Sequence, residues 1–566
     1  MAKKTTTEAE LSTESLPTNT LTDSKDKGLT TDYSWLNILE DKTFLDSFLN
    51  KYLPKYLQTT RWFGGKGRVV KQLIIQHALV LPVEQTQVYL LIIESIFAEG
   101  FADSYFLPIH FSTDEYFKPD EKAIICSMQI QEQKGLLIDA LYWETFRNKL
   151  FYHILAQSEI NTGEGILQFN RGKILEQHQT DKAIESILLK TDQSNTSLIF
   201  NDQYFLKIYR RLYRETNPDY EITKFLTENA NFAHSPKYAG SISWKRAKQP
   251  EVSLGLMQQK VENEGDAWQY LNGQIRSYFN KIIKYKINIS KIEKVELYQP
   301  KSIKELDPET IDLMSLETLK SIDKLAQRTA EMHIAISSDR TSYTFLPQLY
   351  NEDYSVWLKN RMIAQLDKRL ALIEQNKDKL TGLAKEYANF FLEKKEEIRD
   401  FFLNFDENKL ISKRIRIHGD FHLGQVLKQN DDFIILDFEG EPESTIRDRK
   451  VKQPPIKDVA GMIRSFHYAV YANIFELVEK ENSKIGFEQL SEAGNRYYRI
   501  IVAVYLNTYI KVAMANSLDI GYQKEINYLL KYHLLEKAIY ELGYELNSRP
   551  SWAIIPLQGI VQLLTT

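Results

Sequence analysis

The apolar positions of this chain change period as it proceeds. In DYSWLNIL (32–39) and FLDSFLNKYLPKYL (44–57) they recur at helical spacing, whereas QVYLLIIESIF (87–97) and SYFLPIHF (104–111) are rich in branched and aromatic residues and predict the strands of a small sheet-bearing domain. Between these stretches, QTTRWFGGKGR (58–68) reads as a basic turn ahead of a strand. It lacks the spacing of a phosphate-binding Walker A loop, and no Ser or Thr follows its lysine. A second unit begins near residue 160. NTSLIFNDQYFLKIYRR (195–211) has two strand-like runs about an Asn201-Asp202 turn, which predicts a hairpin with Lys207 in its second strand. In NPDYEITKFLTE, Asn217 is a helix cap and Pro218 a first-turn residue, while Ile222, Phe225 and Leu226 form an apolar face. From about residue 265 onward the pattern is helical, apart from IRIHGDFHLGQVLKQNDDFIILDFEGEP (415–442). The first 29 residues carry no aromatic side chain and are rich in Thr, Ser and charge, the composition of a disordered tail.

Composition narrows the class. An apolar fraction of 43% over 566 residues can fill more than one core. The net charge of -4 arises from 72 basic and 76 acidic residues without a long block of either sign, so neither nucleic acid nor a membrane surface is an expected partner. Cys126 stands alone, so no internal disulfide or Cys-based zinc site is expected, and the compartment reads as reducing and cytoplasmic. The apolar run VYLLII stops at Glu94, short of a membrane span. A soluble protein acting on a small neutral or modestly charged molecule fits these values; the sequence does not give its oligomeric state, with a monomer favoured.

The 415–442 segment sets Asp420 and Asp437 at the ends of two short apolar runs, with His418, His422 and Gln425 around the first. Phosphoryl transfer needs metal ions on the phosphates, a cation beside them and a carboxylate that orients the attacking hydroxyl. Asp420 followed five residues later by Gln425, then Asp437-Phe438-Glu439, has the spacing of a kinase catalytic loop and its metal-binding element, with Gln as a hard amide-oxygen ligand in place of Asn. Lys207 and Glu221 upstream are a candidate ion pair. Residues 192–197, with Ser194, Asn195, Thr196 and Ser197, would form the loop above the nucleotide phosphates, and the hinge reading adenine would lie in LGLMQQKVENEGDAW, at Gln259 and Val261. Each residue alone has an ordinary structural reading, such as a turn aspartate, a satisfied histidine or a first-turn glutamate.

Together with RWFGGKGR, DVAGMIRSFHYA and EKAIYELGYELNSRPSWAIIPLQGI, these motifs resemble the maltokinases, cap-bearing relatives of the aminoglycoside phosphotransferases and protein kinase-like enzymes. The resemblance runs from about residue 35 to the end. After the tail (1–29), it implies an α+β, bilobal kinase-like fold: an N-terminal cap domain (30–158), a small nucleotide-binding lobe (159–262) and a large helical catalytic lobe (263–566). It further implies ATP and Mg2+ as cofactors and maltose as acceptor, phosphorylated at its anomeric hydroxyl for α-glucan assembly. Asp420 resembles the catalytic Asp, Gln425 and Asp437 the metal ligands, and Lys207 the phosphate-contacting lysine. His422, Glu439, Arg449, Lys537, Tyr540 and Tyr544 are the expected sugar contacts. On a helix through LLEKAIYELGYEL, Lys537, Tyr540, Glu541 and Tyr544 share the face opposite Leu535, Ala538, Ile539, Leu542 and Leu546. The chain departs from the family in having Pro454-Pro455 where Ser-Pro is usual and a basic loop from Arg447 to Lys452. Three alternatives keep the fold: a glucosamine or other sugar kinase, which retains every catalytic residue; a non-catalytic binding protein, which would be expected to lose one; and an aminoglycoside-modifying enzyme, which predicts acidic patches for a polycation that the basic loop near Arg449 opposes.

Overall fold

The computed structural model describes residues 28–113, 120–176, 183–189, 194–480 and 486–565. The chain divides into two compact units, one ending at Phe146 and the other starting at Arg147. The boundary drawn from the sequence, at 158/159, falls after the helix Glu144–Leu155 rather than near its start. Most of the predicted tail lies outside the described residues, but Leu29 already belongs to strand β1 (Leu29–Thr31).

In the first unit, short helical segments between Trp35 and Thr59 follow the predicted periodicity. Asp41 caps one of them by accepting the Thr43 and Phe44 N–H groups at 2.8 and 3.2 Å. Strands β2 (Val70–Val83), β3 (Thr86–Phe97), β4 (Asp103–Ser112), β5 (Ile124–Ile130) and β6 (Gln133–Asp139) follow, and within this unit the order across the sheet is β1-β5-β6-β4-β3-β2. The inward residues Leu91, Ile93, Leu107 and Ile109 are fully buried, and they share their core with Trp35, Phe44, Phe48 and Leu53. The Trp35 indole donates to the Gln87 carbonyl at 2.8 Å, which fastens the helical entry to the β2–β3 hairpin. Cys126 is buried within this core.

The second unit has two lobes. Its smaller one is an antiparallel sheet of β7 (Glu159–Asn161), β8 (Ile166–Arg171), β9 (Ser186–Leu188), β10 (Asn195–Phe200), β11 (Tyr204–Tyr209), β13 (Tyr238–Lys245) and β14 (Val252–Gln259), in the order β7-β8-β13-β14-β11-β10-β9; the two-residue β12 (Arg211–Leu212) follows β11 in the chain. The predicted β10–β11 hairpin turns through Asn201 and Asp202, both with positive φ of 50° and 55°, a conformation that Asn and Asp tolerate. Helix Pro218–Glu228 starts as expected, with the Asn217 side chain accepting the Asp219 N–H at 2.9 Å.

The larger lobe is helical. Helices Leu316–Ile336, Ile456–Lys480, Phe487–Ala515 and Gln523–Ser548 enclose a core of Ile500, Ile501, Leu529, Leu535, Ile555 and their neighbours. The hairpin of β15 (Val426–Gln429) and β16 (Asp432–Ile435) interrupts them. Its return brings the residues just before β15 beside those just after β16, and so sets Gln425 against Asp437. Among the described residues, no helix is long and apolar enough to cross a membrane.

Helix Ile456–Lys480 approaches the Asp420 loop at Gly461. A Cβ there would lie 2.6 Å from the Phe421 carbonyl oxygen, and backbone cannot swing aside as a side chain can. Gly461→Ala should therefore destabilise the fold by about 1–3 kcal/mol, the usual cost of overpacking, read as a lower melting temperature. An unchanged melting temperature would show that the helix can retreat freely.

Candidate active site

The loop leading to Asp420 is held from beneath by a buried carboxylate. Asp458, in the first turn of helix Ile456–Lys480, accepts the N–H groups of His418 at 2.8 Å and Gly419 at 2.9 Å, and meets the His333 imidazole at 3.0 Å. Burial pushes its pKa up, but the His333 hydrogen bond and the neighbouring histidines and amides outweigh burial and keep it below the usual carboxylate range. Gly419 has φ of 87°, and a Cβ on it would lie 3.1 Å from the Gly440 Cα, so the Asp420 and Asp437 loops touch where neither carries a side chain. His418 donates its Nε2–H to the Leu436 carbonyl, 2.7 Å away, and so adds a second tie.

Lys207, on β11, stands among three carboxylates. Its ammonium is 3.2 Å from Asp219 and 2.5 Å from Asp437, and it also bonds Glu439. The ligand atoms of these carboxylates lie within 4.8 Å of one another, the spacing of a cation site, and Lys207 is the cation in it. Burial opposes the lysine's charge, yet Asp219, Asp437 and Glu439 hold its pKa well above the ordinary value. One ammonium cannot neutralise three carboxylates, of which Asp219 is buried and Asp437 and Glu439 are half-buried. Burial accordingly raises Asp219 and Glu439 despite Lys207, while in Asp437 the lysine prevails and the pKa is lowered.

The expected Lys207–Glu221 pair does not form. Asp219 takes that place, because residues two apart on a helix point to nearly opposite sides and the side facing β11 is that of Asp219. Asp219 also accepts the Phe438 N–H at 3.0 Å. Glu221 instead meets Arg416 at 3.1 Å and Lys450 at 2.9 Å. Two residues that sequence reasoning missed, Asp219 and Asp458, both lie in motifs already singled out, and both are acidic residues in the first turn of a helix.

Gln425 and Asp437 face each other, with the amide 3.1 Å from the carboxylate. Asn195 reaches Glu439 at 3.1 Å, and Ser197 is paired with Lys207 across the β10–β11 ladder, so these two belong to the site. Thr196 sits at the adjacent ladder position, and strand alternation sends its side chain to the other face, where its hydroxyl accepts from Arg210 at 2.7 Å. Ser194 is exposed beside Asn195, and residues 192 and 193 lie outside the described residues.

On the other side of Asp420, Lys537 from helix Gln523–Ser548 donates to its carboxylate at 3.0 Å, and the His422 ring nitrogen is 4.0 Å from the second oxygen. Burial raises the Asp420 pKa, but Lys537 and His422 pull it below the ordinary value. Burial likewise lowers that of His422. Lys537 lies over the Tyr540 ring at 5.0 Å, whereas Tyr544, one turn on, is 52% exposed beside Arg549 and is not brought to this site. Arg449 is a clasp for the loop after Asp437: it donates to the carbonyls of Pro442 at 2.7 Å and Ser444 at 3.0 Å and to the Tyr213 hydroxyl at 3.1 Å. Gln259 and Val261 line a cavity of about 870 Å3 with Tyr204, Ser235, Lys237 and Ile434, and neither Lys207, Asp420, Gln425 nor Asp437 borders it.

Hard oxygen donors at Asp437 and Gln425, a buried lysine and a carboxylate set apart from them by the loop contact suit a divalent cation with a polyphosphate on one side and a hydroxyl acceptor on the other.

Residues 56–142 match the Maltokinase N-terminal cap domain family. A glucosamine kinase of Streptacidiphilus jiangxiensis is 23% identical over 150 residues, 26% of this chain and 32% of that protein. One of Mycolicibacterium smegmatis is 41% identical over 56 residues, 10% of this chain and 14% of the other. The matched stretches thus span at most about a third of these curated relatives. Among solved structures, glucosamine kinase in complex with glucosamine, ADP and inorganic phosphate superposes with a TM-score of 0.58 at 16% identity, covering 88% of this chain and 94% of that one. A second crystal form of glucosamine kinase gives 0.58 at 16% identity, with coverage of 88% and 95%. The chain therefore matches the maltokinase N-terminal cap family over residues 56–142 and shares the protein kinase-like fold of glucosamine kinase over most of its length.

Proposed function

We propose that this chain is an ATP-dependent sugar kinase that phosphorylates maltose at its anomeric hydroxyl, releasing ADP and maltose 1-phosphate for α-glucan assembly. The observation that carries the reading is the placement of Asp420 between two cations of different origin: Lys537 at 3.0 Å on the acceptor side, and beyond the Gly419–Gly440 contact the Lys207 cluster with Asp437 and Gln425. Asp420 orients the acceptor hydroxyl and takes its proton. Lys207 and Asn195 steady the nucleotide phosphates, and Asp458 keeps the Asp420 backbone from shifting during transfer. Asp437 and Gln425 offer oxygen ligands for Mg2+, which supplies positive charge to the phosphate oxygens when bound. The Asp420 pKa, held low beside Lys537, keeps the carboxylate ionised and ready to accept a proton at neutral pH.

A neutral acceptor is favoured over an amino sugar. Asp420 is paired with Lys537 at 3.0 Å, Glu441 with Arg361 at 2.7 Å and Glu536 with Lys457 at 2.7 Å, so each carboxylate around the acceptor side already has its cation. A protonated amine brought to this face would meet Lys537 without an unpaired carboxylate among those three to receive it. The maltokinase-type cap at 56–142 supports the same choice.

Asp420→Asn should lower kcat by about 10²–10⁴-fold with ATP affinity nearly unchanged, the usual loss when a general base is removed. Asp437→Ala should weaken nucleotide and magnesium together and recover in part at raised magnesium. Equal rescue of the two variants would overturn this division of roles. With maltose, reducing-sugar signal should disappear in proportion to ADP formed, and kcat/KM for maltose should exceed that for glucose or glucosamine. ADP formed while the reducing end survives would place the phosphate on another hydroxyl and reject the anomeric assignment.

A further inference from the structure

The segment entering the Asp420 loop, with Lys452 beside it, buries more positive charge than the protein neutralises. Arg414, Arg416 and Lys452 are each 6% exposed or less. Arg414 is satisfied entirely by neutral groups: the carbonyls of Leu349 at 2.8 Å and Lys452 at 3.4 Å, the Asn351 amide oxygen at 3.1 Å, and the Tyr354 ring beneath its guanidinium at 4.2 Å. Lys452 donates to the Tyr343 carbonyl and lies 4.6 Å from that residue's ring. Among the described residues, Glu221 is the one carboxylate paired with any of the three; it bonds Nη1 of Arg416, and Lys450 shares it.

Arg416 leaves its other edge unused. Its Nε and Nη2 atoms are buried and make no hydrogen bond. Those two N–H groups lie in the guanidinium plane along one edge and form the parallel pair that grips two oxygens of a phosphate or carboxylate. Buried N–H donors of a charged group left without acceptors cost free energy, and an isolated buried cation costs more. The Phe345 ring, 5.9 Å from the guanidinium, offers only its face. Burial, Arg416 and Arg414 together push the Lys452 amine down to about 8, as expected for cations crowded without a counterion.

We propose that Arg416, Lys452 and Arg414 form a binding site for a small phosphate-type dianion, separate from the nucleotide site. The open edge of Arg416 supplies two donors and Lys452 the nearby charge, under the Tyr343–Phe345 segment. The site adjoins both Glu221, on the helix that carries Asp219, and Ile417-His418, which lead into Asp420. An occupant there ties the two walls of the catalytic cleft, and Lys452, at the end of the basic loop, acquires a use that phosphoryl transfer alone does not give it.

The test is calorimetric titration of the full chain with inorganic phosphate at constant ionic strength, with chloride as control, on the wild type, Lys452→Met, Arg416→Gln and Lys207→Met, each checked for folding by circular dichroism. The wild type and Lys207→Met should bind phosphate, and Lys452→Met and Arg416→Gln should bind at least tenfold more weakly. Glucose 1-phosphate titrated in parallel separates the two sources of the dianion: uptake supports a phosphate ester as occupant, and exclusion alongside phosphate binding supports the free ion. Failure of the wild type to bind phosphate beyond the chloride control, or binding that Lys452→Met leaves unchanged while Lys207→Met removes it, would overturn the proposal; the wild-type result stands even if a variant misfolds.

Discussion

The ammonium of Lys207 is the point on which the catalytic end of the second unit depends. Three carboxylates within 4.8 Å of one another would repel strongly in a buried setting, and this one cation makes their convergence possible. Because Asp219 comes from a helix, Lys207 from a strand and Asp437 and Glu439 from the segment after β16, a single electrostatic contact sets the sheet lobe against the helical lobe. The cluster sets three carboxylates against one ammonium, and burial raises the pKa of Asp219 and Glu439 despite Lys207. An added divalent cation beside Asp437 and Gln425 is therefore electrostatically welcome.

A second constraint acts on the acceptor side. Asp458 spends both carboxylate oxygens on the His418 and Gly419 amides, which fixes the direction in which Asp420 leaves the loop. Lys537 then sets the charge state of Asp420 from a different helix. Backbone and electrostatics are thus controlled by separate elements, and the sugar face can vary without disturbing the phosphate face. That separation is what would let relatives of one fold accept different sugars.

Much of this was legible in the sequence, for identifiable reasons. The Asn201-Asp202 turn, the Asn217 cap and the two apolar runs ending in Asp420 and Asp437 are local signals, and local signals survive into the fold. Pairings across long separations were not legible. Sequence placed Lys207 beside Glu221, but the choice between Asp219 and Glu221 depends on which helix face meets β11, a tertiary fact. Arg449 and Tyr544, expected at the sugar, are respectively a clasp on the loop after Asp437 and an exposed ring beside Arg549. Their residue types suited a sugar, and only the helix ends and loop path decide where they point. The buried surplus around Arg416 was visible beforehand only as an unusually basic loop.

The proposed joint action of Asp420 and the Lys207 cluster in moving a phosphoryl group to a neutral sugar is read most directly as ADP release by the purified full chain with ATP and magnesium over a panel holding maltose, glucose, glucosamine and an aminoglycoside. Acceptor-dependent ADP release that is greatest with maltose is the expected result. No acceptor-dependent release with any of them, from protein that is folded by circular dichroism, would contradict it.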